Sequence, residues 1–139
     1  MEIKNRYTNA TIMTFDAADL RGVDFRGADL SGAIGLPDVP VIPEIDQAIL
    51  TAIETGPDGL DMEYWHDTRE TGRCQTTHCR AGWAIHLAGP PGYDLENRIG
   101  PCAAGALIYA ASRPGVPVPD FHATNEAALT DLHDCAASA

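Results

Sequence analysis

A chain of 139 residues, 45% of them apolar and 21% charged, suits one compact domain or a small domain with an appendage. No apolar run approaches the length of a membrane span, and the opening MEIKNRYTNA lacks the basic-then-apolar layout of a secretory leader, so the expected compartment is the cytoplasm. Twenty acids against nine bases leave a net charge of −11, which repels DNA, RNA and anionic lipid and argues against direct binding to any of them.

The negative charge is concentrated at the front. Residues 1–63 hold twelve acids and four bases, a net of −8, whereas residues 64–139 hold eight and five, a net of −3. A basic partner surface fits such a field. The first segment, Glu2 to Phe15, reads as two short strands about a TNAT turn. Ile3, Tyr7, Ile12 and Phe15 are its apolar anchors, and Asn9 is a good turn residue.

A five-residue period follows. Its units are Ala18-Asp19-Leu20-Arg21-Gly22, Val23-Asp24-Phe25-Arg26-Gly27 and Ala28-Asp29-Leu30-Ser31-Gly32. Met13 and Phe15 extend the register backwards, and Ala33-Ile34-Gly35 lets it decay, with glycine where leucine would stand. Over roughly residues 10–35 this resembles the pentapeptide-repeat family, with its A-(D/N)-L-x-x pattern. The resemblance implies a square right-handed β-solenoid with the large and small apolar residues inside. Four units make about one turn, which must lean on the rest of the chain to bury its apolar residues. The open ends of so short a coil leave room for a homodimer.

Gly35 to Pro43 carries three prolines and reads as an extended linker. In the stretch that follows, Ile45, Ile49, Leu50 and Ile53 fall at helical spacing after Pro43, and Gly56 stops the helix. Leu60 to His66 reads as a short helix anchored by Met62 and Trp65. The polar stretch from Asp67 to Cys79 reads as a loop. Together with its neighbours it forms the basic region of the chain: Arg69, Arg73, Arg80, His66 and His78. A helix capped by Thr76 or Thr77 then buries Ala81, Ala84, Ile85 and Ala88, and ends at Gly89 with Pro90 and Pro91 beyond it. A second helix lies within Asp94 to Arg113, with Pro101 in its first turn. A proline-rich crossover leads to a last helix that starts near Thr124 or Asn125. The fold class is therefore α+β: a short hairpin and about one solenoid turn (residues 1–36), a linker (37–43), and a compact unit of four to five helices (44–139).

Chemistry concentrates in the Cys/His stretch. Cys74, His78, Cys79 and His66 are the candidate zinc ligands, but no second pair at standard spacing completes a tetrahedral site, so no cofactor is expected. A Cys74–Cys79 disulfide is an alternative, and so is a thiol enzyme using Cys79, whose place near a helix start beside Arg80 and His78 would lower its pKa. No phosphate-cradling loop and no nucleophile elbow is present, and no catalytic residue is assigned. The motif C-x-T-x-x-C-x-A-G-W-A, from Cys74 to Ala84, resembles a stretch in uncharacterised bacterial and phage proteins, which implies a recurring helical domain and no function.

The functional expectation is a non-enzymatic acidic protein that engages the basic site of a nucleic-acid-processing partner. It follows from the charge together with the repeat resemblance, since some pentapeptide-repeat proteins mimic duplex DNA and small acidic phage proteins block restriction or CRISPR machinery in this way. The residues expected to meet the partner are Asp16, Asp19, Asp24, Asp29, Asp38, Glu44 and Asp46. The alternative is a metal- or disulfide-stabilised interaction module centred on Cys74, His78 and Cys79.

Overall fold

The computed structural model describes residues 2–5, 8, 10–14, 33–34, 38–56, 59–63 and 78–138. The hairpin forms as expected: β1 (Glu2–Asn5) pairs antiparallel with β2 (Thr11–Thr14), with a register shift between Ile3 and Lys4. A two-residue strand, β3 (Ala33–Ile34), pairs antiparallel with the other edge of β1, giving the order β2-β1-β3. The decaying fourth unit of the five-residue period thus returns to the first strand of the chain. The three intact units lie outside the described residues.

Among the other described residues there are five helices: α1 (Ile45–Thr55), α2 (Arg80–Ala88), α3 (Pro90–Ile99), α4 (Pro101–Ser112) and α5 (Asn125–Ala137). Among the described residues no helix is long and apolar enough to cross a membrane. α4 is the centre of the unit. Residues 103–110 are buried without a break, so this helix has no solvent face and takes its stability from packing on all sides. α2 and α3 pack against it and against each other, while α1 packs on α2 and α5. Its thinness permits this: a Cβ placed on Gly105 would lie 2.5 Å from the Cβ of Ala81 on α2 and 2.9 Å from its Cα. Gly92 of α3 likewise lets that helix approach the carbonyl of Ile85.

The joints of α2, α3 and α4 are single glycines followed by proline. Gly89 (φ 67°) and Gly100 (φ 87°) occupy the left-handed half of the map, which favours glycine. Their N–H groups close the preceding helices, onto His86 O at 3.0 Å and Glu96 O at 2.7 Å. Pro90 and Pro101 then open the next helix, where an N–H would have no acceptor. Pro90 and Pro91 therefore begin α3 and do not simply lie beyond α2. One helix was expected between Asp94 and Arg113, and two are present.

Three other local expectations change. Of the helix expected over Leu60 to His66, residues 64–66 lie outside the described residues and Leu60 to Glu63 is not helical: Leu60 forms an isolated parallel bridge with His78, and Met62–Glu63 is a turn. The N-cap of α2 is Cys79, whose Sγ accepts from the Gly82 N–H at 3.3 Å, and not Thr76 or Thr77. In the linker, Ile42 reaches the core and its N–H donates to Ser112 Oγ at 2.9 Å, which ties the entry of the helical unit to the end of α4.

Candidate functional site

Of the seven acids expected to face a partner, Asp16, Asp19, Asp24 and Asp29 lie outside the described residues, while Asp38 and Glu44 are exposed. Glu44 caps α1 in the left-handed region at φ 48°, without a side-chain cap. Asp46 departs from the expectation. Its side chain is only 8% exposed and both oxygens are engaged internally: Oδ1 accepts from Arg80 at 2.8 Å and Oδ2 from Arg113 at 3.0 Å. An acid in the first turn of a helix ordinarily faces solvent and the helix dipole. Here two guanidinium groups draw it inward, so it is not a surface charge.

Arg80 is the hub of this network and is also corrected. It belongs to the basic region of the sequence, yet its side chain is 1% exposed. Its Nε donates to Tyr109 Oη at 2.9 Å, one Nη to Asp46 and the other to Asp131. Arg113 donates to Asp46, to Cys135 Sγ at 3.3 Å and to the Pro117 carbonyl at 2.9 Å. Both guanidinium groups stand over the Tyr109 ring, at 5.3 and 4.8 Å from its centroid. Burial opposes the charge of Arg80, but Tyr109, Asp131 and Asp46 outweigh it and hold its pKa above the ordinary arginine value. Burial also pushes ionisation of the Tyr109 hydroxyl up, beyond its usual range. Two cations and two anions thus pair with one another, with Arg113 Nε buried and not hydrogen-bonded among the described residues. The network joins α1, α2, α4 and α5.

Of the candidate metal ligands, Cys74 and His66 lie outside the described residues, whereas His78 and Cys79 are both buried. Among the described residues no group of three or more His, Cys, Asp or Glu could hold a metal ion. Instead His78 joins an aromatic cluster. Its ring lies 4.8 Å from that of His86 and 4.9 Å from Trp83, in an edge-on arrangement. His86 Nδ1 is 2.8 Å from Tyr93 Oη.

The Cys79 thiol is pushed up to about 11, chiefly by burial and against the hydrogen bond from Gly82. This reverses the lowered pKa expected from its helix-start position: the cap is present, but desolvation is the larger effect. At neutral pH the raised pKa alone leaves about a hundredfold less thiolate than an ordinary cysteine carries. Cys79 should therefore resist iodoacetamide in the folded chain and react at the ordinary rate in urea. Peptide mass mapping reads this directly, and labelling as fast when folded as when unfolded would refute it.

Sequence reading missed Tyr109, Arg113 and Asp131 as members of the network. The side chain of Asp131 is 55% exposed, yet it also accepts from Arg80. One hint was available: Arg80 stands between Cys79 and Ala81 in a run of small apolar residues, where a charge needs buried partners.

The family described as pentapeptide repeats (8 copies) matches residues 13–34, the segment that carries the five-residue period. Searches of the curated proteins and of the solved structures give no match.

Proposed function

We propose that this chain is a non-enzymatic acidic binding protein that occupies the basic site of a DNA- or RNA-processing partner, in the manner of an anti-restriction or anti-CRISPR inhibitor. The supporting observation is the coincidence of the repeat match at residues 13–34 with the most acidic half of a chain of net charge −11. In this reading the tract forms about one right-handed solenoid turn seated on the helical unit. Asp16, Asp19, Asp24 and Asp29 provide its negative surface, and the exposed Asp38 and Glu44 continue that surface towards α1. Asp46 is withdrawn from the set by Arg80 and Arg113.

The test is affinity capture from bacterial lysate, washed at low and then high salt, with bound proteins identified by mass. The expected result is a nucleic-acid-processing protein released by salt, because charge-steered contacts weaken as ionic strength rises. Changing Asp19, Asp24 and Asp29 together to lysine should abolish the capture. Capture that survives this change would remove the tract from the contact.

A further inference from the structure

α5 is weakly buried for a helix of its length. Only Ala128 and Leu132 are buried, while Leu129 is 36% exposed. Beside it runs the crossover that follows α4, and between the two lies an open groove with a volume of about 590 Å³. The crossover supplies Val116, Pro117 and Pro119 to one wall, α5 supplies Ala127 and Ala128 to the other, and Arg80 and Arg113 form the floor. Smaller hollows of about 430 and 400 Å³ continue it along the helix, sharing Ala127 and Asp131 on one side and Arg113 and Cys135 on the other.

The sign of the groove decides its occupant. The guanidinium groups in the floor are turned inward by Asp46, at 2.8 and 3.0 Å, so they do not recruit an anion. The rim is acidic: Asp120 lines the groove and Glu126 and Asp134 line the adjoining hollow, while Asp131, shared by both, already accepts from Arg80. Asp134 lies in the last turn of α5, which has no basic residue, so its charge opposes the negative end of the helix dipole. A cation placed over that turn would relieve the opposition. Apolar walls with a negative rim complement a segment that carries a small apolar side chain between basic ones.

We propose that the groove between α5 and the 116–120 crossover docks a basic segment of a partner protein, with one apolar side chain inserted between the proline wall and Ala127. This rests on the reading of the chain as an acidic binder and assigns it a contact separate from the repeat tract.

The test uses the full chain and a fluorescein-labelled peptide in which two arginines flank a single leucine on each side. Fluorescence anisotropy measures affinity. Cys135, which lines the groove, serves as an internal reporter through its alkylation rate with and without peptide. Asp134→Lys and Ala127→Arg should each weaken binding about tenfold or more, and replacing the peptide's leucine by glycine should weaken it comparably. Bound peptide should slow alkylation of Cys135 several-fold. The Asp19, Asp24 and Asp29 lysine variant should bind the peptide as the unaltered chain does. Circular dichroism checks that each variant folds, and Asp134→Lys, at an exposed position, stands in if Ala127→Arg does not. Unchanged affinity in the folded groove variants, or unprotected Cys135, overturns the proposal. Equal loss in the groove and tract variants also overturns it, because it would mark general attraction to a negative chain. Loss in the tract variant alone overturns the groove and leaves the tract reading standing. Loss in the groove variants alone supports the groove even if the tract reading fails.

Discussion

Replacing Arg80 by leucine is expected to cost the fold roughly 3–5 kcal/mol, the range for removing one partner of a buried ion pair. The substitution strips Asp46 Oδ1, Asp131 and Tyr109 Oη of their shared donor in one step. The value should fall toward the lower end, because Arg113 still holds Asp46 Oδ2 at 3.0 Å. Lysine should not rescue the site, since one ammonium cannot reproduce the three directions of the fork. Adding Asp46→Asn to the leucine variant should recover part of the loss, because no poorly paired carboxylate then stays buried. Urea unfolding at neutral pH measures all three variants. A loss below about 1 kcal/mol, the scale of an exposed pair, would show that the network carries little of the stability.

The second large effect is expected at Gly105→Ala. On an isolated helix the change would stabilise by about 1 kcal/mol. Here the new methyl would lie 2.5 Å from the Ala81 Cβ and 2.9 Å from its Cα. The second contact is with backbone, so no side-chain rotation relieves it and α2 must move away from α4. Overpacking of this kind costs about 1–3 kcal/mol and is occasionally worse, which exceeds the helical gain. The variant should melt at a lower temperature than the unaltered chain. Ala81→Gly, added to it, should restore only part of the difference, because it removes the Cβ contact and leaves the Ala81 Cα at 2.9 Å, and the double-mutant cycle would report a coupling between the two positions. A neutral or stabilising Gly105→Ala would mean that the two helices lie further apart than described.

What could be read from the sequence was mostly local. α1 was legible because Ile45, Ile49 and Leu50 keep a helical period between Pro43 and Gly56, and all three are buried. α5 was legible from Thr124, whose Oγ1 accepts from the Ala127 N–H. α3 was not, because Gly89-Pro90 has the same form whether proline closes one helix or opens the next. The 3.0 Å bond from the Gly89 N–H to His86 O closes α2, and the 3.1 Å bond from the Tyr93 N–H to Gly89 O opens α3 at the same residue. The fate of Asp46 was hidden for a different reason. Its partners lie 34 and 67 positions away, and an acid in a helix's first turn looks the same in sequence whether it is solvated or buried. Cys79 was placed correctly at a helix start. Its thiol was read with the wrong sign because the enclosing side chains come from elsewhere in the chain.

The ion network has a consequence for how this unit could be inherited. Asp46 lies at the beginning of its first helix and Asp131 in its last, and Arg80 and Tyr109 connect them across the interior. Trimming from either terminus as far as Asp46 or Asp131 takes a carboxylate from the buried Arg80 as well as Ile42 and Ile45, or Leu132, from the core. Gene fusion or recombination would therefore have to carry the span from α1 through α5 as a single indivisible piece.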